Sequence, residues 1–274
     1  MNLRVWIWLL SLSVLWGGSF FFAKVAIGEL RPFTVVFARV ALAALALNLM
    51  LSFAGSSLFR RGTPWSTLIA MGILNNLIPF SLIFWGQTEI ASGLATILNA
   101  TTPLFTLVVA HLLTRDEKMN GAKVAALLAG FAGVTLLVGP DFLLGDRAGF
   151  WGQIACLGAA LSYAFAGVYG RRFQGMGISP MQAAAGQVTT SAVLILPIML
   201  IVDRPWTLAA LPSATVWMAL AGLALLSTAL AYVLYFRILT TAGATNLALV
   251  AFLIPISAIP VSYTHLTLPT IYSV

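Results

Sequence analysis

The sequence predicts an all-α polytopic membrane protein, two inverted five-helix repeats truncated to about nine spans, and three observations predict it. Of 274 residues, 61% are apolar and 8% charged, with a mean hydropathy of +1.01; a soluble chain carries about one charged residue in four. Apolar runs of roughly 20 residues recur about every 30 residues, each long enough at ~1.5 Å rise per residue to cross a ~30 Å hydrocarbon core. Sliding the chain on itself by about 150 residues places Leu15-Trp16 over Ser162-Tyr163, Lys24 near Arg171, Phe84 over Phe236, Ala91 over Gly243 and Pro103 over Pro255. Each copy would hold five spans, an odd number, so the second copy must sit inverted in the membrane.

In order, the predicted spans run Val5 to Ile27, Phe33 to Ala54, Trp65 to Gln87, Ile90 to Leu113 and Ala122 to Gly139. The second copy supplies Gly149 to Gly170, Pro180 to Val202, Ser213 to Arg237 and Ala244 to about Pro260. Helix-breaking connectors separate them: Arg31-Pro32, Arg60-Arg61-Gly62-Thr63-Pro64, Gly139-Pro140-Asp141, Gly177-Ile178-Ser179-Pro180 and Arg204-Pro205. All are short and leave no room for a soluble domain. The first span is too long, and lacks the small-x-small site, for a cleaved signal peptide.

The net charge of +7 would suggest nucleic acid in a soluble protein. Here the basic residues gather in short connectors, where they set topology, and nucleic-acid binding is discarded. Nine Lys and Arg lie on the side of the amino terminus and four opposite, with Arg39 inside a span, so the amino terminus is expected in the cytoplasm. Cys156 is the one cysteine, which rules out an internal disulfide and a paired-thiolate metal site; no cofactor or metal is expected. No G-x-x-x-x-G-K-[ST] loop is present, nor an H-E-x-x-H, Ser-His or paired-Asp set within the spans, which argues against ATP hydrolysis and intramembrane enzymology.

The organisation expected is a first repeat over 1–140, a second over 141–260 lacking its last helix, and a distinct tail over 261–274. That tail begins Val-Ser-Tyr-Thr-His-Leu, which matches the translation of a transposon-type sequencing-library adapter. It is polar and proline-broken where the repeat calls for apolar helix. Residues 261–274 are therefore expected to be non-native, and His265, Tyr263 and Tyr272 to carry no function.

The stretches LWGGSFFFAKVAIGELRPFTVVFARVALAALAL, ASGLATILNATTPLFTLVVAHLL with KMNGAKVAALLAGFAGVTLLV, and LAYVLYFRILTTAGATNLALVAFLIPISA resemble the drug/metabolite transporter superfamily, EamA-like type. The resemblance covers residues 5 to 260. It implies a ten-helix basket in a bacterial inner membrane that moves small metabolites such as amino acids or drug-like compounds, often outward, between two pseudosymmetric halves. Where the family carries a Gly-Glu pair after the fourth helix, this chain has Thr114-Arg115-Asp116-Glu117, so only the Glu carries over. The partners expected are the lipid bilayer, a small-molecule substrate and a second copy of the chain. A non-transporting scaffold is the alternative, since small residues such as Gly158, Ser162 and Gly170 allow close helix approach in either case.

Charged and amide side chains within spans are energetically expensive and so mark candidate sites. Arg39 lies about six residues, roughly 9 Å, into the second span; it either meets a substrate carboxylate or anchors to a neighbouring backbone carbonyl. Trp16, Phe20 and Lys24 share one helix face at i, i+4, i+8, either as an aromatic wall or as helix packing with an interfacial lysine. Pro79 and Pro103 free the carbonyls of Asn75 and Asn99, which makes Asn75, Asn76, Asn99 and Thr102 candidates for a polar cavity wall or for interhelical bonds. Thr228, Tyr232 and Tyr235 form a stripe at i, i+4, i+7 beside Ser227, and Tyr163 matches Trp16 through the repeat. Glu89 and His111 are the candidate proton-coupling groups, both near helix ends; no carboxylate occupies mid-span.

Overall fold

The computed structural model describes residues 3–115, 117–138, 147–173, 175–208, 210–248, 250–251 and 253–254. The segment 261–274 and residues 255–260 of the expected ninth span lie outside them. Among the described residues the chain is helical apart from its connectors: α1 Leu3–Ile27, α2 Pro32–Phe53, α3 Trp65–Glu89, α4 Ser92–Leu113, α5 Gly121–Val138, α6 Arg147–Gly170, α7 Pro180–Ile198 and α8, which begins at Ala214. Seven of these are long and apolar enough to cross a membrane; the apolar part of α5, Gly121–Leu136, is shorter. The expected bounds agree with these to within a few residues.

One boundary differs. The connector expected between the eighth and ninth spans is absent, and α8 passes through it as Ala214–Ala221, Gly222–Leu230 and Ala231–Ala248. The sequence there holds Gly243 but no proline, and one glycine weakens a helix by about 1 kcal/mol without ending it.

Three helices contain wide π turns: Ile73–Leu77 in α3, Met199–Asp203 after α7, and Gly222–Leu230 in α8. The first has a local cause, because Pro79 lacks the N–H that would close the turn before it; Pro197 lies just before the second. Pro103 acts differently. It splits α4 into Ser92–Asn99 and Thr102–Leu113, and the Thr102 hydroxyl donates to the carbonyl of Asn99 at 2.7 Å, so the carbonyl expected to be exposed is satisfied locally.

The helices of the two halves interleave: α2 packs on α7, α3 on α6 and α7, and α1 on α8, while among the described residues α5 packs mainly on α4. Glycine brings α3 closest to its neighbours. A Cβ on Gly86 would lie 2.8 Å from the carbonyl oxygen of Gly152 on α6, and one on Gly152 would lie 2.9 Å from Cβ of Glu89. One apolar cluster, including Phe20, Val36, Phe84 and Leu220, fills the half of the bundle away from the amino terminus. A second, including Leu47, Leu68, Val188 and Phe236, fills the near half.

These crossings make a stability prediction. Gly86→Val places two methyl groups where backbone already sits, and should lower stability by about 1–3 kcal/mol; Gly133→Val on α5, where a Cβ meets nothing within 4 Å, should cost under about 1 kcal/mol. Thermal unfolding of the two variants in detergent checks the difference.

Candidate functional site

Between the two apolar clusters lies a polar layer built around Arg39, which is 4% exposed. Its Nε donates to Thr228 Oγ1 at 2.8 Å, Nη2 to the Ser227 carbonyl at 3.4 Å, and Nη1 to Ser19 Oγ at 3.5 Å, the outer limit of hydrogen bonding. The guanidinium lies 3.8 Å from the centroid of the Phe80 ring, a cation–π contact that strengthens when desolvated. No carboxylate among the described residues bonds to it, so neutral dipoles and a ring face surround a full positive charge.

The α8 π turn prepares this contact. Thr228 Oγ1 donates to the carbonyl of Leu223 at 2.7 Å, five residues back as a wide turn requires. That leaves the Ser227 carbonyl facing Arg39, while Ser227 Oγ donates to the Leu15 carbonyl at 2.7 Å.

One helical turn nearer the amino-terminal face is a network of amides and hydroxyls. Asn75 Nδ2 donates to Gln187 Oε1 at 3.1 Å and to Tyr232 Oη at 3.3 Å; Tyr232 Oη donates to Asn76 Oδ1 at 2.6 Å; Asn76 Nδ2 donates to Ser191 Oγ at 3.1 Å. Ser191 Oγ reaches the carbonyls of Gly72 at 2.9 Å and Gln187 at 2.6 Å. The Leu74 carbonyl, displaced by the α3 π turn, accepts from Ser162 Oγ at 2.7 Å. Bonds of this kind are the form in which irregular backbone is tolerated at membrane depth.

The structure therefore brings together Arg39, Asn75, Asn76, Ser227, Thr228 and Tyr232, with Tyr163 within electrostatic reach of Arg39. The Trp16 ring packs tilted at 45° against Tyr235, centroids 5.9 Å apart, and Phe20 is buried in the far cluster. Asn99 and Thr102 stay on α4 outside the network, and Asn99 Oδ1 is buried without a partner. Glu89 is exposed and accepts from Thr88 Oγ1 at 2.9 Å. His111 takes the Met119 N–H on Nδ1 at 3.2 Å at the end of α4, so neither coupling candidate faces the polar layer. Lys24 does not reach for solvent: its ammonium bonds the carbonyls of Gln87 and Ile90 at the C-terminal end of α3, where a helix dipole favours a cation.

Sequence reasoning missed Gln187, Ser191 and Ser19. The missing signal for Gln187 and Ser191 was their spacing of four on a helix otherwise lined by Ala and Thr, which sets two polar groups on one face. Two clefts open on the amino-terminal face. One, about 210 Å³, lies between α7 and α8 and has Met181, Ala184, Tyr232, Val233 and Phe236 among its lining residues. The other, about 430 Å³, runs from Arg172 and Thr114 in to Leu74. Tyr232 thus lines a cleft on one side and bonds into the polar layer on the other.

Apolar spans enclosing a buried cation and an amide network define a multi-pass membrane transporter, and comparison with known proteins agrees. The sequence profile of the EamA-like transporter family matches twice, over residues 3–139 and 150–268, and the chain belongs to that family, within the drug/metabolite transporter superfamily. The second match reaches into the segment 261–274. The chain is 27% identical over 262 residues to the uncharacterized transporter YoaV of Bacillus subtilis, covering 93% of this chain and 86% of that one. It is 27% identical over 247 residues to the uncharacterized inner membrane transporter YedA of Escherichia coli K12, covering 88% and 77%. A crystal structure of a protein 18% identical superposes with a TM-score of 0.69 over 96% of this chain and 88% of that one, a likeness of fold.

Removing one hydroxyl tests the network. Tyr232→Phe leaves Asn76 Oδ1 without its donor and should lower stability by about 1 kcal/mol, within the range for interhelical bonds in bilayers. Asn76→Leu removes both the acceptor of Tyr232 Oη and the donor to Ser191 Oγ and should cost more. Denaturation in mixed micelles ranks the two.

Proposed function

We propose that this chain is a secondary transporter of small metabolites, amino acids or drug-like amphiphiles, across a bacterial inner membrane. It works by alternating access at the polar layer and runs in the export direction. The observation that carries the reading is the origin of the layer's bonds. Arg39–Thr228, Asn75–Gln187, Asn76–Tyr232 and Asn76–Ser191 each join a residue of 1–140 to one of 141–260. A site shared this way is rearranged whenever the halves rock against each other, as alternating access needs.

Three further features support it. The π turns of α3 and α8 begin at Ile73 and Gly222, separated by the same offset of about 150 residues as the internal similarity. The pairs α3–α6 and α1–α8 exchange under that offset, as inverted copies require. The excess of Lys and Arg on the amino-terminal side orients that face, where both clefts open, toward the cytoplasm. In this reading a substrate enters from the cytoplasm past Tyr232, and its carboxylate meets Arg39, the one charge buried in the layer.

The test is flux in proteoliposomes against a panel of amino acids and amphiphilic drugs. Arg39→Ala and Gln187→Leu should each reduce flux at least about tenfold, equivalent to about 1.4 kcal/mol, with membrane insertion unchanged. Arg39→Lys, which keeps the charge and loses the planar fork, should retain part of it. Full flux in both of the first two variants would move the site elsewhere.

A further inference from the structure

We infer that Glu29 and Asp203 are gate residues: each carboxylate, from one half of the molecule, holds the first turn of a helix of the other half and so closes the face opposite the amino terminus. The inference rests on the transport reading above, since a gate has a role only if the path opens.

The helices themselves leave these positions vacant. The residue before α2, Arg31, makes no side-chain cap, so the N–H of Thr34 in its first turn has no partner within the helix. Asp203, 4% exposed, supplies one: its Oδ2 accepts from Thr34 N at 2.6 Å and from Thr34 Oγ1 at 2.9 Å. Its backbone carbonyl takes Arg31 Nη1 at 3.1 Å. The chain turns sharply to bring Asp203 there, through Arg204 at φ 48°, a left-handed conformation uncommon outside glycine. Reciprocally, Glu29 in the α1–α2 connector takes the N–H of Ser213 at 2.7 Å and its hydroxyl at 2.6 Å. Ser213 is the residue before α8, so the carboxylate sits at that helix's positive end. Among the described residues, Arg31 and Arg204 are charges beside Asp203, the latter bonding the Ile201 carbonyl at 3.3 Å.

The contacts between halves at the amino-terminal face include an exposed ion pair, Arg171 Nη1 to Glu117 Oε1 at 3.3 Å, which solvent screens and weakens. There Gln182, in the first turn of α7, donates to Ser56 Oγ at 3.3 Å and the Ser57 carbonyl at 3.1 Å, and accepts from Arg60 at 3.4 Å. Bonds to an ionised carboxylate are shorter and about twice as strong as neutral ones. Both clefts described above open on the amino-terminal face, away from the two carboxylate caps. Breaking Thr34–Asp203 and Ser213–Glu29 is then the step that opens the far side.

Two reporters on a Cys156→Ala chain test this. Ala38→Cys lies one turn inward of Thr34 on the same face of α2; Val233→Cys lines the cleft between α7 and α8. Labelling by an impermeant maleimide is measured on intact cells for the first and inverted vesicles for the second. Asp203→Asn and Glu29→Gln should each speed Ala38→Cys labelling at least about fivefold and slow Val233→Cys labelling. Thr34→Val, which removes one bond and no charge, should have a smaller effect of the same sign. Unchanged rates overturn the gate, and so do rates that rise at both reporters, because loosened packing does that. Flux through the same variants separates the two readings: opposed labelling shifts without transport of any substrate uphold the gate and remove the transporter, while flux without opposed shifts removes the gate alone.

The pH response of the Glu29 arm follows from its bonds. Donation by the Ser213 hydroxyl and N–H holds the Glu29 carboxyl below its ordinary range. A lowered value means that the contact is intact above the ordinary carboxylate range and is lost only as pH falls through the lowered one. In Asp203→Asn, where Glu29 alone remains, labelling of Ala38→Cys divided by that of a free thiol at the same pH, which removes the pH dependence of the thiolate itself, should stay flat between about pH 8 and about pH 6.

Discussion

The Arg39 guanidinium ties the two halves of the bundle together and sets the conditions for what surrounds it. A bare charge at that depth is expensive, and removing one partner of a buried charge is worse than never having buried it. Thr228, the Ser227 carbonyl, Ser19 and the Phe80 ring share the load without neutralising it. The α8 π turn exists in a form that turns the Ser227 carbonyl toward the cation. Phe80 owes its position to the helix that restarts after the α3 π turn. Two irregular helices are thus shaped around one side chain.

The same logic extends through the amide network. Inside hydrocarbon a displaced carbonyl needs a donor within the protein, and the chain supplies three of them from hydroxyls: Ser162 for Leu74, Thr102 for Asn99, Ser191 for Gly72. These Ser and Thr residues are structural donors first. What separates Asn75, Asn76, Gln187 and Tyr232 from them is that they bond side chain to side chain across the halves, where rearrangement needs no backbone break.

Much of the fold was legible because bilayer thickness and helix rise dictate span lengths, and Pro and Gly mark the connectors. The boundary expected after Arg237, which α8 passes through, had only Gly243 to support it. In the site, Arg39 and the asparagines beside Pro79 stood out because polarity within an apolar run is costly. Asn99 stood out for the same reason, yet its helix break is resolved by Thr102 and it stays outside the network. Gln187 and Ser191 were hidden because their partners are more than a hundred residues away, and periodicity along one helix says nothing about what faces it. Lys24 shows the limit in reverse: a lysine near a span end reads as reaching for headgroups, whereas the exposed carbonyls ending α3 offered it a closer partner.

The contact of Gly86 with Gly152 has a mechanical consequence. Where two backbones touch with no side chain between them, no rotamer change can let one helix slide along the other, yet each can still turn about the point of contact. The α3–α6 crossing therefore acts as a fulcrum, and it sits near the far end of α3. From Gly86 back to Trp65 the helix is a lever about 30 Å long at ~1.5 Å per residue. A tilt of about ten degrees at the fulcrum sweeps its tip through roughly 5 Å, about one helical turn. Such a swing has to carry α7 with it, because a Cβ on Gly72, along that lever, would lie 2.9 Å from the Gln187 carbonyl oxygen of α7.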